Sequence, residues 1–327
     1  MVKKSPSILL HVLLRRLWLR IDLTWRRLKA NWLIFRSDPL AMLGLMIIMI
    51  FALMAVIHPI LIETVWPSGI YDPLTGFDMQ TVPHPAPPSS RHLLGTDALG
   101  RDVLSMLLSA TTPTFVIGLT AALATAIVGT LLSVIAAYFR GAADAAISNL
   151  ADVFLLFPAP VIMIIVGARF RAELTPISLG LIYGFVTGMG GTVIVLRARA
   201  LQVMAQPYME ASRIAGGGPF HIIIKHLLPA MLPLAALQMM VAVTGVVIAD
   251  GFISFFGLTR ATSNWGTVLY DAFVYSYSVG LDTATMWNAL LPAAACFTFF
   301  ALGFYLVSRG MHRVANPWQR EEFLSRI

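Results

Sequence analysis

Six apolar windows run through this sequence, and they restrict the chain to one class of fold. A helix needs about 20 apolar residues to cross roughly 30 Å of hydrocarbon, so windows of this length predict transmembrane helices. With 58% hydrophobic and 12% charged residues, the chain carries more apolar surface than one soluble core can bury. The windows are Leu40–Ile57, Val103–Phe139, Ala145–Gly167, Leu174–Leu196, Leu227–Ala249 and Thr283–Ser308. We therefore expect an all-α integral membrane protein with six transmembrane helices.

The basic residues predict the orientation of these helices, because short cytoplasmic loops retain Lys and Arg. If both termini are cytoplasmic, 18 of the 23 basic residues lie in cytoplasmic segments and five lie outside. Residues 63–94, which are rich in proline, then form an irregular extracytoplasmic loop, and residues 197–226 form a cytoplasmic loop. The net charge of +7 reflects this topology and an attraction to anionic lipid. It does not indicate nucleic-acid binding.

The N-terminal segment, residues 1–39, is basic and amphipathic. At helical spacing its apolar side chains form one stripe, while most of its arginines lie off that stripe. The stripe consists of Leu14, Leu17, Trp18, Ile21, Trp25, Leu28 and Trp32. This pattern predicts an interfacial helix that lies on the inner leaflet. The chain then divides into this segment, a membrane domain over residues 40–310 and a cytoplasmic tail over residues 311–327.

Enzymatic functions find little support in the sequence. It contains no G-x-x-x-x-G-K-[ST], H-E-x-x-H or G-x-S-x-G motif, so we expect no catalytic residue and no bound cofactor. His84 and His92 lie in the proline-rich loop, but their spacing does not match a metal-ligand set, and no metal is expected. Cys296 is the only cysteine and cannot form an internal disulfide.

The cytoplasmic loop carries strong signals for a short helix followed by a sharp turn. Pro207 suits the first helical position, and Glu210 lies in the first turn, where a carboxylate is favourable. The glycines at 216–218 end the helix, and Pro219 begins a second helical stretch that runs towards Pro229. These signals predict either an ordinary capped hairpin or a rigid knob that docks into a soluble partner.

The segment Tyr208–Pro229, YMEASRIAGGGPFHIIIKHLLP, resembles the EAA loop of the membrane subunits of ATP-binding-cassette (ABC) importers. A second segment, Leu94–Ser105, LGTDALGRDVLS, is similar to the segment before the second span in C-type permeases of dipeptide, oligopeptide and nickel importers. Ser212 departs from the usual second alanine of the loop. The residues that the resemblance assigns to coupling with an ATPase are Tyr208, Glu210, Ala211, Ser212, Arg213, Gly216, Gly217 and Pro229.

The resemblance implies a type I ABC importer permease fold in the inner membrane of a prokaryotic cell. It also implies three kinds of partner: a homologous second permease, two ABC ATPase subunits (or a homodimer) and an extracytoplasmic solute-binding protein. ATP and Mg would bind to the ATPase subunits, and this chain would hydrolyse nothing. The substrate class stays open between dipeptides, oligopeptides, metal chelates and related solutes.

Three ionisable residues are candidates for the pathway or its gate. Asp152 lies inside the third window, and a carboxylate there costs at least about 2.5 kcal/mol unless it faces a partner or a cavity. Asp250 is expected near the outer surface at the end of the fifth window. Arg101, flanked by Asp97 and Asp102, favours an outer ion-pair cluster over a ligand for a peptide carboxylate.

Two other functions remain open from the residues alone. A secondary transporter requires intramembrane carboxylates or broken helices in two repeats, and the glycine cluster Gly184–Gly191 is able to interrupt a helix. A membrane scaffold subunit also needs no catalytic motif. Uptake that requires ATP would distinguish an importer subunit from a secondary transporter. Any uptake at all would distinguish it from a scaffold subunit.

Overall fold

The helical elements form the framework of the molecule. The computed structural model describes residue 25 and residues 29–170, 174–258, 263–278 and 286–315. Residues 29–36 are also helical. The labelled helices are α1 Pro39–Thr64, α2 Val103–Phe139, α3 Gly141–Leu156, α4 Ala159–Phe170, α5 Pro176–Met189, α6 Gly191–Met204, α7 Pro207–Ile214, α8 Leu228–Phe255, α9 Trp265–Ser278 and α10 Trp287–Ala315.

Within the described residues, four helices are long and apolar enough to cross a membrane: α1, α2, the continuous helical stretch Pro219–Phe255 that contains α8, and α10. Two further pairs, α3 with α4 and α5 with α6, meet the same criteria together but are bent. By length and composition the chain therefore has four candidate spans, or up to six if each bent pair is one span. The prediction of an all-helical membrane protein is confirmed.

The third and fourth windows are not continuous helices, which corrects the sequence-based expectation. The axes of α3 and α4 differ by 75°. The break falls at Phe157, which is extended because it precedes Pro158, and residues before proline avoid the helical region. The axes of α5 and α6 differ by 48°, and Gly190 between them has non-helical dihedral angles. The glycine cluster of the fourth window had indicated that an interruption was possible.

Helices α2 and α5 pack with their backbones in close contact. Gly180, Gly184 and Gly188 are spaced four residues apart and form one stripe on α5 that faces α2. A β-carbon on Gly184 would lie only 2.5 Å from the carbonyl oxygen of Ala121. Such stripes allow membrane helices to approach closely, where dispersion forces and hydrogen bonds replace the hydrophobic effect. One such hydrogen bond joins the hydroxyls of Thr125 and Thr187 at 2.9 Å.

An aromatic cluster joins α1, α9 and α10. The rings of Phe51, Trp265 and Phe300 lie 5.2–5.4 Å apart between centroids. The indole N–H of Trp265 donates to the carbonyl of Leu107 on α2 at 3.1 Å. Trp265 begins α9, a helix that the hydropathy windows did not predict because its 14 residues are too few to cross a membrane.

Several predicted boundaries differ from the structure by a few residues. Helix α1 extends into the predicted outer loop as far as Thr64, and residues 197–204 of the predicted cytoplasmic loop belong to α6. The outer loop is not wholly irregular, since it contains short helical turns at Ser68–Tyr71 and Met79–Thr81. Helix α10 continues past residue 310 to Ala315. Most of the predicted N-terminal amphipathic helix, and residues 316–327, lie outside the described residues.

Two ion pairs join the ends of different helices. Arg197 on α6 and Asp144 on α3 form a two-pronged pair, with Nη2 and Oδ2 separated by 2.5 Å. The buried carboxylate of Asp38 accepts from the amide of Leu40 at the start of α1 and lies 3.3 Å from Nε of Arg313 on α10. These pairs join helices whose own backbones are already hydrogen-bonded, so they restrict movement between helices.

Candidate functional site

Helix α7 is a short helix with a defined beginning and end. Pro207 occupies one of its first positions, and Glu210 lies in its first turn, as the sequence predicts. At its end Gly216 adopts a left-handed conformation with φ of 85°. The amide of Gly216 donates to the carbonyl of Arg213 at 3.0 Å, and the amide of Gly217 donates to that of Ser212 at 2.9 Å. This pair of bonds is the Schellman motif, which ends helices at glycine.

The motif also explains why a second glycine follows Gly216. A β-carbon on Gly217 would lie 2.7 Å from the carbonyl oxygen of Ser212, which is the group that its own amide bonds. By contrast, a β-carbon on Gly218 would meet nothing within 4 Å. The turn therefore favours glycine at 216 because of its left-handed dihedral angles. It favours glycine at 217 because a side chain there would collide with the Ser212 carbonyl.

One side chain anchors α7 to the membrane helices. Met209 is the only residue of α7 that is buried, and it packs among the ends of several helices. We call this group the basal cluster; it contains Val134, Ala137, Leu196, Ala200, Val203, Met204, Met209, Ile222, Leu227, Met231 and Ala235. The cluster joins α7 to α2, α6 and α8. Helix α7 is therefore in direct apolar contact with these three helices.

The other faces of α7 are largely uncovered. Glu210, Ala211 and Arg213 are exposed, and Glu210 makes no hydrogen bond or ion pair with the described residues. Ser212 is half-buried, with Oγ 3.4 Å from Nε2 of His226. Tyr208 is exposed and its ring lies 6.0 Å from that of His226. Helix α7 therefore combines one buried apolar anchor with a polar surface that the described residues leave largely uncovered.

Two large apolar side chains beside α7 are also exposed. Ile214 at the end of α7 is 83% exposed, and Phe220 beyond the glycine turn is 81% exposed. Sequence reasoning did not single out either residue. Their signal was an isoleucine and a phenylalanine on either side of a glycine turn in a loop that was predicted to lie outside the membrane. Exposed apolar side chains in such a place indicate an interaction surface.

Pro229 is connected to α7 through a widened helical turn. Residues Ile223–Leu227 form a π turn, and the amide of Leu228 donates to the carbonyl of Ile223, five residues earlier. Proline has no amide hydrogen, and its ring collides with the carbonyl four residues before it. The π turn accommodates this collision, so the helical stretch from Pro219 to Phe255 stays continuous.

Arg101 lies in a buried ion-pair cluster at the end of the molecule opposite α7. Its Nη2 is 2.5 Å from Asp97 and 2.7 Å from Asp271, a residue of α9 that lies 170 positions later. Burial alone would lower the pKa of the guanidinium, but Asp97 and Asp271 outweigh that effect and raise it. The cluster was predicted, but its second acid was not: Asp102 does not pair with Arg101 and instead caps α2.

Asp102 belongs to a separate buried group that sequence reasoning missed. Nδ1 of His92 lies 2.8 Å from a carboxylate oxygen of Asp102, and its Nε2 lies 3.1 Å from one of Asp78. Arg91 also pairs with Asp78 at 2.8 Å. We call the side chains of Asp78, His92 and Asp102 the outer clasp. The clasp ties the outer loop to the start of α2, and its only sequence signal was a histidine ten residues before an aspartate.

The pH dependence of the outer clasp is a testable property. Burial of Asp78 opposes ionisation, but bonds from Thr81, Gln80 and His92, together with Arg91, lower its pKa to about 2. A carboxylate with a lowered pKa stabilises the fold above its unfolded pKa, and this contribution is lost as the pH falls towards 2. We expect Asp78→Asn to lower Tm by a constant amount between pH 7 and about 4, and by less towards pH 2. A difference that already vanishes above pH 5 would contradict this assignment.

The two intramembrane acids lie in different surroundings. Asp250 is 4% exposed near the end of α8, and Asn264 donates to its Oδ2 at 2.8 Å. The same amide nitrogen donates to Oγ of Ser254 at 2.6 Å. Asp250 is buried beneath the segment before α9, and its expected position near the outer surface of the membrane stays a prediction. Asp152 on α3 is exposed, and it forms no ion pair with the residues that the structure describes.

Comparison with known proteins finds one family match and several similar transport permeases. The family described as "Binding-protein-dependent transport system inner membrane component" matches residues 129–321. The dipeptide transport system permease protein DppC of Bacillus subtilis is 30% identical over 90% of this chain and 84% of its own length. The oligopeptide transport system permease protein OppC of the same organism is 28% identical over 90% of both. A putative peptide transport system permease protein of Brucella suis is 27% identical over 84% of this chain and 86% of its own length.

Proposed function

The chain belongs to the family of binding-protein-dependent transport system inner membrane components. From this membership we propose that it forms half of a pathway through which peptides cross the membrane. It is the permease subunit of an ABC importer. The relatives are named for dipeptide and oligopeptide transport, which supports peptides as the substrate class. The chain would form the pathway together with a homologous second permease.

The exposed, anchored helix α7 is the observation that carries the coupling mechanism. Two ABC ATPase subunits would bind ATP and Mg, and one of them would accept α7 in a surface groove. When the ATPases close on ATP, the groove would displace α7, and the basal cluster would pass that displacement to α2, α6 and α8. Because α8 runs from this end of the molecule to the Arg101 cluster, movement at one end would alter the other.

The exposure and position of each residue suggest its role in α7 and in the turns that follow it. Glu210 and Arg213 would form charged contacts with the ATPase, and Tyr208 would cover the edge of the groove. Ala211 and Ser212 are small and would allow close approach of the two backbones. Gly216 and Gly217 would hold the turn, and Pro229 would maintain the π turn that connects α7 to α8.

The membrane arrangement that we propose has six spans, with each bent pair crossing once and both termini in the cytoplasm. Residues 65–102 would then face the outside, where a solute-binding protein delivers the peptide. Asp152 would face the partner permease, because a lipid-exposed carboxylate is costly in the hydrocarbon region. Asp250 would act as a buried connection between α8 and the segment before α9 at the outer gate, without touching the peptide.

Reconstitution of the complete importer tests this function. We expect proteoliposomes that contain this chain, its partner permease, the ATPases and the binding protein to accumulate a labelled dipeptide when ATP is supplied. Uptake should stop when ATP is omitted or its hydrolysis is blocked. Uptake that needs no ATP and follows a proton or sodium gradient would refute the importer mechanism.

The two bent helix pairs favour one alternative, a secondary transporter, because such proteins bind substrate where helices are broken. In that case α7 would have no role in energy coupling. The same proteoliposomes distinguish the two, since a secondary transporter would work without the ATPase subunits. A scaffold subunit would give no uptake under any of these conditions.

A further inference from the structure

A two-pronged ion pair joins α3 to α6, and the coupling mechanism that we propose for α7 gives it no role. Nη2 of Arg197 on α6 donates to Oδ2 of Asp144 on α3 at 2.5 Å, and Nε donates to the other carboxylate oxygen. Paired bonds of this kind fix the relative orientation of the two groups as well as their distance. The pair therefore holds α3 against α6 in one arrangement.

Helix α6 is fixed to α7 by apolar contacts in which α3 takes no part. The basal cluster contains Leu196 and Ala200, which lie on either side of Arg197 in the sequence, together with Met209 of α7. Among the described residues, no member of the basal cluster comes from α3. The bonds between Arg197 and Asp144 therefore link α3 to the group of helices that carries α7.

The two helices meet a second time, where each of them adjoins a bend. Helix α3 ends at the extended residue Phe157, and α6 begins after Gly190. A β-carbon on Gly190 would lie 3.6 Å from that of Phe154. A β-carbon on Gly191 would lie 3.6 Å from Cδ2 of Leu155. Because the end of α3 meets the start of α6, the two bends are neighbours, and the helices run antiparallel from the bends to the ion pair.

Two points of contact along a pair of helices restrict turning and sliding of one past the other, whereas residues at the ends of helices absorb changes in dihedral angle. On the basis of the proposed function, we propose that α3 and α6 move as one unit when an ATPase displaces α7, with bending at Phe157 and Gly190. Arg197 and Asp144 are the positioning residues that hold this unit together. The displacement of α7 thereby reaches α3 and Asp152, which would face the partner permease.

The amount of peptide taken up per ATP hydrolysed tests the role of the ion pair. The two side chains are 30% and 22% exposed, and loss of a partly exposed pair changes an equilibrium by up to about fivefold. We expect Arg197→Ala to lower uptake per ATP by about this factor in proteoliposomes, while ATP hydrolysis and the yield of assembled complex stay close to wild type. A pair that only stabilises the fold would instead lower the yield and leave uptake per ATP unchanged.

Arg199→Ala provides the matched control. It removes the same side chain from the same helix, but Nη1 of Arg199 bonds to Gln202 within α6, at 3.4 Å. Uptake per ATP should therefore equal that of wild type. An equal loss from Arg197→Ala and Arg199→Ala would show that the charge of α6, and not its link to α3, is responsible, and would overturn the proposal.

A cross-link in place of the ion pair tests whether the two helices move together. Cys296 is the only native cysteine, so Cys296→Ala with Asp144→Cys and Arg197→Cys places one thiol on each helix. Uptake per ATP should be low before reaction and should return close to the Cys296→Ala value once a short bis-methanethiosulfonate joins the thiols. A verified cross-link that leaves this value low, or lowers it further, would overturn the proposal.

Distances between spin labels test the same motion in a protein that keeps the ion pair, which is decisive if the double-cysteine protein does not assemble. Ala146 on α3, Ala198 on α6 and Ile165 on α4 are exposed positions for cysteine and label. In the Cys296→Ala importer, a non-hydrolysable ATP analogue should leave the distance from 146 to 198 unchanged and alter the distance from 146 to 165. A changed first distance, or an unchanged second one, would overturn the proposal.

ATP-driven uptake by the unmodified importer, measured first, judges the proposed function separately. Its absence would refute the importer function and this proposal with it. Its presence, together with wild-type uptake per ATP in Arg197→Ala, would refute the role of the ion pair and leave the importer function intact.

Discussion

Replacing Glu210 with alanine is expected to reduce ATP-driven uptake at least about 30-fold while the protein still inserts and assembles in the membrane. Glu210 is exposed and has no partner among the described residues, so its loss costs the isolated chain little beyond a helix-dipole contribution of about 0.3–1 kcal/mol. In the importer the ATPase would bury it. Truncating one member of a buried charged pair costs about 2 kcal/mol or more, which corresponds to the expected loss. Peptide uptake into proteoliposomes and the yield of assembled complex are the two measurements.

Glu63→Ala provides the matched control for this experiment. Glu63 is also an exposed acid, but it lies at the far end of α1, and its replacement should leave uptake unchanged. Gly216→Trp should share the loss of uptake, because a bulky residue is strained at a φ of 85°. Wild-type uptake by both Glu210→Ala and Gly216→Trp would exclude α7 as the coupling element.

Gly184→Ala is expected to lower the free energy of unfolding by about 1–3 kcal/mol, as overpacking of a close interface does. The added methyl group would lie 2.5 Å from both the Ala121 carbonyl oxygen and the β-carbon of Ala124, so α2 and α5 must separate. Backbone atoms cannot rotate away as a flexible side chain can. Thermal unfolding of the purified complex and the yield of protein in the membrane would both report the change.

Gly191→Ala is a closely matched control for Gly184→Ala. It makes the same chemical change in the adjoining helix, but there the added methyl group would lie 3.6 Å from the end of the flexible Leu155 side chain. Helix propensity then favours alanine, and stability should stay equal or rise by up to about 1 kcal/mol. Equal losses from both substitutions would show that the glycine stripe does not determine the packing of α2 on α5.

Hydropathy predicted the ends of a helix most accurately where charged residues flank the apolar run. Helix α2 begins and ends at the predicted residues because Asp102 caps its start and Arg140 follows its end. Hydropathy did not predict bends inside an apolar run. An average over a window does not detect a single extended residue such as the one before Pro158. That proline was itself a usable signal for the bend. Helix α9 was not predicted, because its 14 residues are too few to cross a membrane.

The α7 segment was predicted in more detail than any other part, because its signals are local. Proline at the start, an acid in the first turn and glycine at the end each act within a few residues. The pair of Arg101 with Asp271 could not be found in this way, since the two residues lie 170 positions apart. The burial of Asp250 likewise depends on the chain returning over α8 at Asn264, which no local pattern indicates.

The π turn at Ile223–Leu227 places a limit on how this protein can change in evolution. A π turn contains one more residue than an α turn, so deleting a single residue there would restore regular helix. The segment that contains α7 and the glycine turn would then rotate by about 100° and shift by about 1.5 Å relative to α8. Helix α7 would present a different face to its partner although its own sequence was intact. Selection should therefore preserve the length of this segment even where it tolerates changes in its exposed side chains.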